Sequence, residues 1–268
     1  MTPEQYASEL LAAYDQATLL APPTAGDPAF NLERAYEVAD ALRTLRIARG
    51  ERPMGYKIGF TNRTIWPRYG VYGPIWGPVW NTTLHLLDAA VVEASLTGLV
   101  QPRLEPEIVF GLRKSPRAGL SEAELLDCIE WVAHGFEVVH THFEGWRFQA
   151  ADTAADFALH GRLYVGPRVP IRAFANAGME LAALSVQLLR DGTSVDEGRG
   201  SNVLDGPLNA LRLWIDAMAS QSQHWPISAG DVVTTGTLTD AAPMLPNQHW
   251  TTRLSDARLS GLSLRSVA

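Results

Sequence analysis

The segment Leu104-Glu-Pro-Glu-Ile-Val-Phe110 sets two carboxylates, Glu105 and Glu107, two residues apart in an apolar run of β-forming character. In a strand, side chains alternate between faces, so both glutamates point one way while Leu104, Pro106, Ile108 and Phe110 take the other. Two neighbouring anions repel each other unless water solvates them, a proton is shared or a cation sits between them. The pattern fits an edge strand with one wet face, which Pro106 permits, and it fits a metal site. A third carboxylate, Glu137, stands in Gly135-Phe-Glu-Val-Val139 with apolar neighbours on both faces. An unpaired buried carboxylate is costly or takes up a proton, so Glu137 needs a partner: Arg147, Lys57 or a metal ion. Three glutamates without a suitable cysteine make an all-oxygen set for a hard cation, Mg²⁺ or Mn²⁺, with other positions open to water or substrate.

Two further segments carry chemistry. Lys57 lies in Gly55-Tyr-Lys-Ile-Gly-Phe60, an apolar run flanked by glycines. A lysine there either snorkels outward or is held inside by carboxylates, where it can bind an anion or move a proton. Gly236, in Thr234-Thr-Gly-Thr-Leu-Thr239, follows the strand-like Asp231-Val-Val233. Glycine allows close backbone approach to a ligand, and the neighbouring hydroxyls and N–H groups suit a carboxylate; an ordinary turn has the same composition.

The elements that must position these groups follow from pattern. Helices are expected over 3–20, capped by the box Thr2-Pro-Glu-Gln5, and over 31–49, capped by Asn31. Strand-like runs follow at 54–60, 84–88, 90–94, 104–112, 135–141, 162–165, 184–190, 193–197 and 231–235, with Asp191-Gly192 as a hairpin signal. Helices are expected at 121–133, 152–159 and 207–220. The organisation is α+β: an N-terminal helical region over 1–50, then a mixed, strand-rich domain over 51–268. With 268 residues the chain can bury a sizeable core. A net charge of −7 with no basic stretch argues against nucleic-acid binding. The single cysteine, Cys128, excludes an intramolecular disulfide and fits a reducing compartment. The N-terminus has no basic segment typical of a signal peptide and no run is long enough for a membrane span, so the cytoplasm is expected. Eight tryptophans scattered along the chain suit core filling or a self-associating surface, and a homo-oligomer is expected.

Taken together, the segments resemble the fumarylacetoacetate hydrolase superfamily, and within it the branch of 2-oxopent-4-enoate hydratases and oxalocrotonate decarboxylases. Gly55-Tyr-Lys-Ile-Gly59 is similar to a G-Y-K-I-G strand of that branch, and Leu104-Glu-Pro-Glu-Ile108 to its E-x-E metal strand. Phe136-Glu-Val-Val139 resembles the third-ligand strand, and Asp152-Thr-Ala-Ala-Asp156 a D-T-x-A-D helix start. Leu204–Leu211 and Gly230–Thr237 complete the family order. The resemblance implies a β-roll core with Glu105, Glu107 and Glu137 as ligands of Mg²⁺ or Mn²⁺. It also implies that Lys57 faces a small 2-oxo acid, with Gly236 and Thr237 at the substrate carboxylate. A divalent cation on a 2-oxo group acts as a Lewis acid, which serves hydration, decarboxylation and carbon–carbon hydrolysis alike.

The proton-handling residues depart from the branch. Its G-V-x-x-P-D-x-G stretch reads Gly70-Val-Tyr-Gly-Pro-Ile-Trp-Gly77 here, with Ile75 in the place of the aspartate. Its A-D-N-A-S reads Ala155-Asp-Phe-Ala-Leu159, followed by His160. Ile75 cannot transfer a proton, whereas histidine is a suitable base for water near neutral pH. Hydrolytic members of the superfamily pair a histidine with a carboxylate. The expectation is therefore a metal-dependent hydrolase that cleaves a carbon–carbon bond in a maleylpyruvate-like acylpyruvate and releases pyruvate. His160 is its expected base, with His140 and His142 as other candidates. The second reading is a 2-oxopent-4-enoate-type hydratase.

Overall fold

The capping residues start both N-terminal helices of the computed structural model, which describes residues 1–63, 66–69, 71–223 and 225–268. Gly70, the first residue of the Gly70–Gly77 run, lies outside the described residues. Thr2 and Gln5 exchange backbone and side-chain hydrogen bonds at the start of α1 (Pro3–Gln16), and after the short α2 (Pro23–Gly26), Asn31 accepts from Arg34 N–H to open α3 (Leu32–Ala48). The first helix stops four residues short of the expected Leu20 because Ala17 turns left-handed and Leu20 N–H is drawn to His142 O. Tyr6, Ala7, Leu10 and Ala13 of α1 and Ala35, Tyr36, Val38, Ala39 and Leu42 of α3 are buried. Their three- and four-residue spacing forms the apolar stripe that packs the helices together.

The chain then passes through β1 (Pro53–Gly59), α4 (Trp66–Tyr69), β2 (Ile75–Trp80), β3 (Leu84–Leu86), β4 (Val91–Ser95) and β5 (Arg103–Leu112). Beyond these come α5 (Glu122–Leu126), β6 (Ile129–Val139), α6 (Ala150–Ala155), β7 (His160–Val165), β8 (Val169–Pro170) and α7 (Ala177–Ala183). The last elements are β9 (Ser185–Arg190), β10 (Thr193–Arg199), α8 (Pro207–Ala219), β11 (Val232–Thr237), β12 (Ala242–Pro243), β13 (His249–Leu254) and β14 (Ser263–Val267).

The helix expected over 121–133 is a correction. Ser121 caps it, but it ends at Leu126, and residues 129–139 form β6 instead. The cause is tertiary: β6 pairs antiparallel with β5 from Leu112↔Ile129 to Arg103↔Val139, satisfying buried backbone groups that a helix would leave open. Similarly, α6 ends at Ala155, and residues 157–159 form a tight turn. The strands β2, β13 and β14 and the helix α7 lack a distinct local signature and were not expected.

Among the described residues, a nine-stranded sheet runs β2-β1-β11-β5-β6-β7-β3, with β12 added to β5 and β8 to β6. A five-stranded sheet runs β10-β9-β13-β14-β4. One face of the larger sheet packs on helices through Ile108, Phe110, Val132, Leu211 and Trp214, and on the smaller sheet through Leu104, Phe136, Leu188 and Trp250. The other face carries Val79, Val109, Ala133, Leu163, Val165 and Val232 as a separate apolar cluster. Alternation puts Glu105 and Glu107 on the same face of β5 as Val109, and Glu137 on the same face of β6 as Ala133. The carboxylates therefore stand beside an apolar floor rather than in open water. No helix among the described residues is long and apolar enough to cross a membrane.

Candidate metal centre and adjoining cavity

The β5–β6 register sets Glu105 directly opposite Glu137. Like charges facing each other across strands destabilise a sheet, and Glu107 one step along the same face adds to the repulsion. One carboxylate oxygen from each of Glu105, Glu107 and Glu137 lies within 4.8 Å of the others. Glu107 and Glu137 are completely buried. Glu107 Oε2 accepts from Gly236 N–H at 2.8 Å, while Oε1 has no hydrogen-bond partner. Glu137 Oε1 lies 2.8 Å from His160 Nδ1; its Oε2 has no hydrogen bond and sits 3.3 Å from Lys57 Nζ. Unpartnered buried carboxylate oxygens converging in this way fit a hard divalent cation, and the all-oxygen donor set is of the right type.

Pro106, between the two glutamates, sits in a central strand and not at an edge. The register of β11 against β5 shifts between Thr234 and Thr237, and at this bulge Pro106 O accepts from Leu238 N–H at 2.9 Å. The N–H that proline lacks would face the same bulge, so no ladder bond is lost. The bulge also gives Gly236 a φ of 103° and aims its N–H at Glu107. A Cβ at position 236 would collide with Thr61 Oγ1. Gly236→Ala is therefore expected to cost about 1–2 kcal/mol from the left-handed backbone alone, and more from the collision. A lower melting temperature together with weaker Mg²⁺ binding by calorimetry checks this; a parental melting curve and affinity would disprove it.

Electrostatics follow the geometry. Burial, reinforced by the charge of Glu137, pushes Glu105 up to about 7, although Lys57 and Arg103 pull against it. Burial and the neighbouring carboxylates raise Glu107 well above the ordinary range. Burial acts the same way on Glu137, yet the Lys57 ammonium and the His160 hydrogen bond hold it below its ordinary value. Burial would lower Lys57, but Glu137, Glu105 and Glu107 outweigh it, and the ammonium is retained. A carboxyl with a raised folded pKa destabilises the fold as it ionises. For Glu105, metal-free stability should fall as pH rises from its ordinary 4.5 towards about 7. Over the same window protons cease to compete for the carboxylates, so cation binding strengthens. The gain in melting temperature on adding Mg²⁺ should be larger at about pH 8 than at about pH 5; an equal gain at both would contradict these shifts.

A cavity of about 290 Å³ adjoins the cluster, with Lys57, Glu105, Arg103, Thr237 and Asp240 on its polar side. Ile75, Val139, Phe148, Ala158 and Leu159 contribute an apolar side. Residues Phe157, Ala158 and Leu159 are all left-handed, with φ of 54°, 51° and 65°. Asp156 holds this turn: its carboxylate accepts from Thr141 Oγ1 and His142 N–H, both at 3.0 Å, and meets His142 Nδ1 at 2.5 Å.

Of the residues singled out in the sequence, Lys57, Glu105, Gly236 and Thr237 line the cavity, with Glu107 and Glu137 beside them at the cluster. The hydroxyl of Thr237 donates to Thr239 O at 2.9 Å, and Gly236 spends its N–H on Glu107. His160 requires a correction. It is buried behind Glu137, outside the cavity wall, with Nδ1 on Glu137 and Nε2 2.8 Å from Thr83 Oγ1. Neither nitrogen is left to face a substrate water. His142 is tied to Asp156, and His140 Nδ1 accepts from Val100 N–H at 3.2 Å; neither lines the cavity. Arg103 was missed, although strand alternation from Glu105 places it on the same face. Thr83 carried no signal, since its contact with His160 spans 77 positions.

The fumarylacetoacetate (FAA) hydrolase C-terminal family matches residues 78–257. The chain belongs to this family. It is 33% identical over 244 residues to a 2-hydroxyhexa-2,4-dienoate hydratase of Comamonas testosteroni, covering 91% of this chain and 89% of that protein. It is 31% identical over 242 residues to a 2-keto-4-pentenoate hydratase of Paraburkholderia xenovorans (strain LB400), covering 89% and 87%. Its fold is that of 4-oxalocrotonate decarboxylase from Pseudomonas putida G7, solved with magnesium and adipate, with a TM-score of 0.90 at 24% identity over 99% of this chain and 97% of that one. The expected fumarylacetoacetate hydrolase-type α+β fold thus stands. The expected carbon–carbon hydrolase does not: relatives of this length and identity are named as hydratases, and the histidine that was to activate water is committed behind Glu137.

Proposed function

We propose that the protein is a divalent-metal-dependent hydratase that adds water to a small 2-oxo-enoate or its 2-hydroxy-dienoate tautomer. The reading is carried by 33% identity to a 2-hydroxyhexa-2,4-dienoate hydratase across nearly the whole of both chains. The carboxylate cluster opening onto a cavity with a lysine supports it. Glu105, Glu107 and Glu137 hold the cation, Mg²⁺ or Mn²⁺, which when bound supplies Lewis-acid polarisation of the 2-oxo group. Lys57, charged and held by Glu137, binds the substrate's anionic end and carries a proton to or from the carbon chain. The turn at Gly236–Thr237 flanks that anionic end. Ile75, Val139 and Leu159 exclude bulk water from the hydrocarbon part, so that proton movement depends on Lys57 and on a captured water rather than on an aspartate at position 75.

The test supplies the metal-loaded protein with 2-keto-4-pentenoate and 2-hydroxyhexa-2,4-dienoate and follows the loss of dienol absorbance and the gain of one water by mass spectrometry. A 4-hydroxy-2-oxo acid without pyruvate is the expected product, and a chelator abolishes its formation. Carbon dioxide release from 4-oxalocrotonate with no hydration of either enoate would replace the hydratase with a decarboxylase.

A further inference from the structure

The hydrogen-bonded chain behind Glu137 does more than fill space. Glu137, held ionised by Lys57, can only accept, so the proton between it and His160 sits on Nδ1. His160 Nε2 is then an acceptor, and the Thr83 hydroxyl donates to it at 2.8 Å in preference to Trp80 O at 3.2 Å. Thr83 Oγ1 in turn accepts Trp80 N–H at 3.1 Å. Every donor and acceptor in the chain is used once, and the imidazole is locked in one tautomer. The consequence lies at Glu137: Oε1 is reserved for His160, and Oε2, without a hydrogen bond and 3.3 Å from Lys57 Nζ, is the oxygen left to a cation. Glu107 is constrained in the same way, its Oε2 taken by Gly236 N–H and its Oε1 left over.

We propose that His160, fixed by Thr83, is a positioning residue that makes Glu137 a one-oxygen ligand and thereby selects a small octahedral cation over Ca²⁺. Calcium takes six to eight oxygens, often through both atoms of a carboxylate, at longer distances. Magnesium demands a compact octahedron of single oxygens and waters. With one oxygen each from Glu107 and Glu137, the centre suits the second pattern. Partners behind a ligand commonly alter metal affinity by about 10–100-fold. The inference rests on the three glutamates binding a metal, and the experiment separates the two.

Chelator-stripped full-length protein is loaded with Mn²⁺, and its displacement by Mg²⁺ and by Ca²⁺ is followed by electron paramagnetic resonance. In His160→Leu, the affinity for Ca²⁺ relative to Mg²⁺ should rise by about tenfold or more. Thr83→Val, which frees the imidazole tautomer and keeps the side-chain shape while giving up the acceptor of Trp80 N–H, should shift it the same way by less. His160→Asn, whose amide N–H falls close to the position of Nδ1, should restore the parental ratio. A parental ratio in both His160→Leu and Thr83→Val overturns the proposal, and Thr83→Val decides alone if His160→Leu does not fold. Failure of the parent to bind Mn²⁺ removes the metal reading itself, whatever the variants do.

Discussion

Glu107→Gln should lower Mg²⁺ affinity by at least about tenfold and, on the proposed hydratase reading, take turnover down with it. Glutamine has nearly the same volume, and its carbonyl oxygen can keep the hydrogen bond from Gly236 N–H that Glu107 Oε2 accepts at 2.8 Å. The fold therefore survives. What disappears is one negative charge and the unpartnered oxygen beside Glu105 and Glu137. Because Glu107 is raised chiefly by burial and then by its two carboxylate neighbours, the same change also relieves repulsion in the metal-free protein. The variant should thus melt at or above the parental temperature without metal and gain little from Mg²⁺, the opposite of the parent. Titration calorimetry and melting with and without Mg²⁺ measure both effects. A variant that binds Mg²⁺ as tightly as the parent would remove Glu107 from the centre.

If Lys57 serves as proposed, Lys57→Met should reduce kcat/KM by about a hundredfold or more, the contribution of a charged substrate contact or a positioned proton carrier. Methionine fills approximately the same space, so the strand should persist. The cost to stability depends on the metal. Without it, Glu137 Oε2 loses the ammonium 3.3 Å away and becomes an uncompensated buried charge, a loss of about 3–5 kcal/mol. A bound cation restores that compensation, so metal-saturated variant and parent should melt close together. Near-parental turnover combined with a destabilised metal-free form would make Lys57 a structural ion-pair partner and nothing more.

Several features were legible in the chain because they depend on local rules. Strand alternation over 104–110 places Glu105 and Glu107 on one face, and both N-terminal helices begin at their capping residues. The α+β organisation follows from short β-like runs broken by capped helices, and the metal-type donor set from residue chemistry alone. The reaction was not legible. Ile75 does line the cavity, as its position in the Gly70–Gly77 run implies, but its lack of a titratable group favours hydrolysis over hydration on paper, whereas the relatives of 31% and 33% identity are named as hydratases.

What only the tertiary structure decided is where distant segments meet. Register, not local sequence, sets Glu105 opposite Glu137, and the same ladder turns residues 129–133 from the expected helix into strand. The bulge opposite Pro106 delivers Gly236 N–H to Glu107 across 129 positions, and His160 reaches Thr83 across 77. Alternation tells which face of a strand a side chain takes; it carries no information about which strand lies alongside or where a bulge falls. The sequence by itself determined that this chain carries three carboxylates and a lysine in strands, suited to a hard cation and an anionic substrate. Pairing between remote strands determined that they share one centre, and that the histidine beside them braces a carboxylate instead of meeting water.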